Sequence, residues 1–232
     1  MSTRLMTFRI LARFALALLA GVPEGAQAAR HPHPLAEAET RLLAEMAREG
    51  TNVTRLFDLG DTAHDLGADG DKQAVVRAEG YLRQLLELDP NHSRGLALLG
   101  SVHTMKGRDA FWPTTQLRLV REGIEIMDRA VAMAPEDIRT RTIRALNNAH
   151  MPDFLGRSEV VRADLAWLWE KAEKDPTHFT TSARQKIALH WGRRLKRQHQ
   201  TDLARKVWET GRDFAPSSPV AAEIRAELEK RH

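Results

Sequence analysis

Residues 181–216 read TSARQKIALHWGRRLKRQHQTDLARKVWETGRDFAP. Thr181–Gln198 has the patterning of one helix. Asp202–Phe214 has that of a second, with Leu203, Val207 and Trp208 spaced for one face. Pro216 closes the unit, because proline cannot continue a helix and pushes its predecessor out of the α region. The same ending recurs upstream: LLELDP closes at Pro90, AVAMAP at Pro135 and EKAEKDP at Pro176, so the four prolines stand 45, 41 and 40 residues apart. Self-similarity at that period marks a helical repeat array.

Each closing helix is preceded by another. The apolar spacing predicts pairs Asn52–Leu66 with Lys72–Leu88, Ser93–Lys106 with Thr114–Ala134, and Asp137–Ala149 with Ser158–Glu173. Pro113 suits a first helical turn, where its missing N–H costs nothing, and Ser158 is a candidate cap. Leu35–Arg48 before the array and Val220–Lys230 after it are placed to cover the terminal apolar faces, as repeat arrays require.

These residues resemble the tetratricopeptide repeat (TPR), a 34-residue helix–turn–helix with Leu-Gly in its first helix and an Ala, a large apolar residue and a final Pro in its second. In the last unit Trp191-Gly192, Leu195, Ala204, Trp208, Gly211 and Pro216 fall on that pattern without insertion. The Ser93 unit matches through Leu96, Leu99-Gly100 and His103, then through Gly123, Met127, Ala130 and Pro135 once about eleven residues near Phe111-Trp112 are set aside as an insertion. Leu59-Gly60, Gly67, Ala78, Leu82 and Pro90 fit a first unit. The Asp137 unit departs most, with Arg144-Ala145 in place of Leu-Gly and HMPDFLGR lengthening its turn. The resemblance covers residues 52–218. It implies an all-α, right-handed α-solenoid of about four helix pairs with capping helices, spanning residues 34–232.

The first 28 residues read differently. Arg4, Arg9 and Arg13 precede the short apolar run Phe14–Ala20, and Ala26-Gln27-Ala28 is a small-x-small cleavage site. That layout predicts a secretory signal peptide cut after Ala28, with a short tail over 29–33 and a periplasmic or secreted location. Its apolar run is well short of the ~20 residues that span a bilayer, so no stable membrane span is expected in the mature chain. Cleavage would expose Ala29-Arg30-His31, whose amine, amides and imidazole offer a nitrogen set for Cu(II) or Ni(II).

Composition limits the chemistry. The 232 residues contain no cysteine, which excludes disulfides, thiolate metal sites and cysteine nucleophiles. Phosphate-binding glycine loops, HExxH and G-x-S-x-G are absent from the sequence. His92 and His103 lie about 16 Å apart along a helix, too far to share a metal. Asn147, Asn148, His150 and Asp153 gather in one segment that reads as a helix stop and turn. Removing the signal takes three arginines and one glutamate from a net +4, leaving +2, too balanced for a nucleic-acid footprint.

Charge is informative locally. In the resembled family the first helix of each pair lines a concave groove, which places Lys186, Leu189, Arg193 and Lys196 there, with Arg197 beside them and Arg94 and Arg139 from earlier units. Thr54, Phe57, Asp61 and His64 occupy the opposite end. The expectation is a non-catalytic, cofactor-free scaffold that binds an acidic protein or peptide through Arg94, Arg139, Lys186, Arg193, Lys196 and Arg197. The alternative is a metal- or cofactor-handling accessory protein of the cell envelope, and Phe111-Trp112 is a further candidate contact.

Overall fold

A computed structural model describes residues 33–230, which form ten α-helices and no strand. In chain order these are α1 (Pro34–Glu49), α2 (Val53–Ala68), α3 (Lys72–Leu88), α4 (Ser93–Asp109), α5 (Pro113–Met133), α6 (Ile138–Asn148), α7 (Ser158–Lys174), α8 (Thr181–Arg197), α9 (Thr201–Asp213) and α10 (Pro219–Glu229). The expected export signal, its cleavage site and Ala29-Arg30-His31 lie outside the described residues.

Local chemistry sets the helix boundaries. Asn52, Asp71, Asp137, Thr180 and Ser218 each cap the helix that follows, accepting a backbone N–H of its first turn. Pro34, Pro113 and Pro219 open α1, α5 and α10, and the four repeat prolines fall just beyond the ends of α3, α5, α7 and α9. Ser158 departs from its expected role. It is the first residue of α7, Arg157 holds the cap position without a side-chain cap bond, and the Ser158 hydroxyl donates to Asp153 Oδ1 at 3.2 Å.

Helices pair in sequence: α2 with α3, α4 with α5, α6 with α7, and α8 with α9. Three of the pairs meet across glycine. A Cβ on Gly100 would stand 2.7 Å from the Gly123 carbonyl oxygen, and one on Gly60 would stand 2.7 Å from the Leu82 side chain. A Cβ on Gly192 would overlap the indole of Trp208, which is 2% exposed and donates its Nε1–H to the Leu189 carbonyl at 3.1 Å. The Leu-Gly positions of the pattern are therefore points where two helices approach too closely for any side chain.

The third pair solves the same problem differently. Ala145 is fully buried where the others have glycine, and Arg144 forks onto Asp164 of α7 with two bonds of 2.8 Å. Asp164 is 1% exposed, so a buried ion pair stands in part of the α6–α7 interface. Burial works to lower the Arg144 pKa, but the hydrogen bonds and charges of Asp164 and Asp128 outweigh it and hold the group firmly protonated.

Two apolar cores result. One joins α2, α3 and α4 through Ala63, Leu82, Leu98 and Val102, and the other joins α6 to α10 through Leu165, Leu168, Ile187, Trp208 and Ile224. The end helices act as caps by different means. Ile224 of α10 is fully buried over the last apolar face, whereas the buried residue of α1 is Glu39, gripped by Arg77 of α3 with bonds of 2.8 and 3.0 Å. None of the described helices is long and apolar enough to cross a membrane.

Candidate functional site

The first helices of successive pairs, α2, α4, α6 and α8, touch one another in turn, while no comparable contact joins α3 to α5, α5 to α7 or α7 to α9. The array therefore curves toward its first helices, and they form its inner wall.

Over the N-terminal half of that wall the polar side chains are occupied with one another. Arg139 of α6 reaches back to α2, where one guanidinium nitrogen shares both carboxylate oxygens of Asp61. Arg94 of α4 donates to Asp137 at 2.7 Å, and Asp137 also caps α6. His64 and Ser101 are hydrogen-bonded at 2.9 Å, and the Asn147 amide donates to Ser101 at 3.0 Å and to Thr104 at 2.8 Å. Burial pushes the Asp61 carboxyl up, and the opposing pull of Arg139 offsets this only in part. The Asp61 carboxylate is thus a bridging group rather than a solvated one.

The C-terminal half is different. Lys186 and Arg197 on α8 are exposed and Lys196 is half-buried, and none of the three makes an ion pair among the described residues. Two expectations for this helix are corrected. Arg193 does not simply face solvent: its Nε donates to Glu227 at 2.7 Å and its Nη2 to Glu223 at 3.2 Å, because α10 folds against this end of α8. Burial raises the Glu227 pKa, but hydrogen bonds from Lys230 and Arg193 prevail and hold the carboxyl below its usual range. Leu189 does not line the groove either; it is buried in the C-terminal core.

Beside α8 the structure brings together residues that sequence spacing left apart. His150, just after α6, and His190 on α8 stand edge to face with ring centroids 4.8 Å apart. They line a cavity of about 280 Å3 with Asp153, Ser158 and the four arginines Arg157, Arg193, Arg194 and Arg197. Arg157 is held by Asp128 at 2.6 Å, and Arg194 donates through Nη2 to the Ser158 carbonyl while its buried Nε is unpartnered. Cations on the last turn of α8 also sit well at the negative end of a helix. The His190 pKa is pushed down to about 3, first by desolvation and then by the charges of His150, Arg193, Lys186 and Arg197. His150 is shifted the same way, again with desolvation foremost. The imidazoles thus sit in a desolvated site where the neighbouring charges are mainly positive. The lengthened HMPDFLGR turn was the one visible hint of this cavity, since it supplies one wall.

Elsewhere, Phe111 and Trp112 project from the α4–α5 turn, 83% and 66% exposed and edge to face at 5.0 Å. Among the described residues no three His, Asp or Glu side chains gather as metal ligands would.

The array can be set beside known structures at this point. It superposes on the crystal structure of a thermophilic TPR protein from Thermus thermophilus with a TM-score of 0.61, over 84% of this chain and 88% of that one, at 16% sequence identity. The chain has the TPR fold. At that identity the likeness concerns the fold alone. No family model matches the chain, and no curated protein does. Such a fold presents a long curved surface, which in this chain is the inner wall described above.

Proposed function

We propose that the protein is a non-catalytic scaffold of the bacterial periplasm that holds an acidic segment of a partner protein against the C-terminal half of its inner wall. One observation carries this reading: Lys186, Lys196 and Arg197 have no ion pair among the described residues, whereas Arg94, Arg139 and Arg193 are each committed to carboxylates of the same chain. Partner binding then rests on the three uncommitted cations, with Arg94, Arg139 and Arg193 shaping the wall. Arginine at such a surface orients a carboxylate with two parallel bonds, and lysine adds attraction without direction. The export half of the reading rests on the layout of residues 1–28.

The test is capture of partners from an envelope extract by wild-type protein and by the Lys186→Glu/Arg197→Glu double variant. Both positions are exposed, so the variant should keep its helical circular dichroism. The reading expects a band retained by the wild type, lost from the variant and weakened by salt, since exposed charges are screened within about 10 Å at 0.1 M. Capture that survives both treatments would move the partner to another surface, with Phe111-Trp112 next in line. Mass spectrometry of the exported protein should find Ala29 at its N-terminus.

A further inference from the structure

The cavity beside α8 has a use that capture of a peptide on the inner wall does not require. Its lining holds four arginines against one aspartate. Two of the arginines are compensated from outside the lining, Arg157 by Asp128 and Arg193 by Glu223 and Glu227. Arg194 and Arg197 are not: Arg194 has a carbonyl partner and an unsatisfied Nε, and Arg197 has no ion pair among the described residues. Asp153, the acid of the lining, already accepts the Ser158 hydroxyl. What is left is two guanidinium groups with open donor positions, the carboxylate of Asp153, and two neutral imidazoles that supply a further N–H each.

We propose that this cavity is a binding site for a compact divalent oxyanion of the phosphate class, held by Arg194 and Arg197 and flanked by His150 and His190. The two open guanidinium groups face a single carboxylate in the lining, Asp153, so an anion entering the cavity meets net positive charge. A phosphate presents three or more acceptor oxygens in a tetrahedron, which matches donors converging from α8 and from the turn after α6, whereas one carboxylate is satisfied by a single guanidinium fork. The cavity, about 280 Å3, has room for such an ion and for a small organic group attached to it. His190 is held neutral first by desolvation and then by the neighbouring positive charges, and an anion there would offset the second of these. The proposal shares Arg197 with the partner reading but needs no second protein, so titration of the purified chain tests it separately.

Titration of the purified chain with inorganic phosphate at pH 7, followed by calorimetry and by the imidazole resonances, tests it. The expected result is one saturable site with Kd below about 1 mM, weakened at least about tenfold in Arg197→Ala, a change at an exposed residue that should leave the fold intact. The ring signals of His150 and His190 should move on saturation while those of His92 and His103 stay still. Glycerol 3-phosphate is the second arm: tighter binding than inorganic phosphate assigns the site to phosphate monoesters, and weaker binding assigns it to the free ion, the phosphate class standing in either case. The proposal is overturned by absence of saturation up to about 10 mM, by equal affinity in Arg197→Ala, or by acetate binding as tightly as phosphate.

Discussion

The two halves of the inner wall carry similar residue types and use them in opposite ways. Between α2 and α6 the charged and amide side chains close on one another, through Arg139 with Asp61, Arg94 with Asp137, and the chain from His64 through Ser101 to Asn147. Around α8 the cations outnumber the acids within reach, and a cavity opens behind them. Curvature accounts for part of the contrast. The array bends enough for α6 to reach α2, so bases of the third unit find acids of the first. At α8 the acids that fold back come from α10, which supplies Glu223 and Glu227, and these are taken up by Arg193. On the proposed reading, the binding end of such a groove is set by what remains uncompensated, not by where its arginines stand.

The junction of the two halves gives the largest expected effect. Asp164→Ala leaves the Arg144 charge buried against α7 without its fork, and loss of one partner of such a pair typically costs about 3–5 kcal/mol. Urea unfolding should show that loss, and Arg144→Leu added to Asp164→Ala should recover most of it; a single variant as stable as wild type would mean that the 3.1 Å bond of Arg144 to Asp128 is enough for its charge. One step smaller is Gly192→Ala. The added methyl meets an indole locked by packing and by its bond to Leu189, so about 1–3 kcal/mol should be lost. An unchanged melting temperature there would contradict the register of the last pair.

Acid sensitivity sharpens the contrast by chemistry. His190 has a folded value near 3 against an ordinary 6.5, so the unfolded chain takes up the proton first as pH falls. Its contribution to stability is complete above about pH 6.5 and is lost progressively between about 6.5 and 3. The groups facing it are His150, Arg193, Lys186 and Arg197, with Glu223 acting on His150 from α10. Thermal melts at pH 7 and pH 4.5 should therefore differ less in His190→Asn than in wild type; an equal difference would remove His190 as the cause. The smallest effect is expected in the self-paired half. Arg94 is half exposed, so Arg94→Ala should cost less than about 1 kcal/mol despite its well-formed contact with Asp137.

How much of this was legible beforehand differs by feature. All ten helices lie within three residues of where apolar spacing, capping residues and prolines put them, because each of those signals is local. Gly60, Gly100 and Gly192 were legible as close approaches for the same reason: the TPR pattern encodes a fixed helix-to-helix contact. The Arg144-Ala145 departure was visible as a defect, but not that Asp164, twenty residues on, completes it with an ion pair. The fate of the groove arginines was beyond sequence reading. Whether Arg139 meets Asp61 depends on the curvature of the whole array, and whether Arg193 meets Glu227 depends on how α10 docks. His150 and His190 stand forty residues apart in separate units, with no spacing rule to join them.

If uncompensated charge decides where this protein binds, the open half of the wall takes an acidic ligand and the self-paired half does not. Backbone amide NMR with a glutamate-rich peptide measures that directly, residue by residue, in the full chain. Shifts are predicted to concentrate at Lys186, Lys196 and Arg197 and in the turn around His150, fading as salt is raised, with Asp61, Arg94 and Arg139 unmoved. Shifts centred on Arg94 and Arg139, opening their pairs with Asp137 and Asp61, would contradict it.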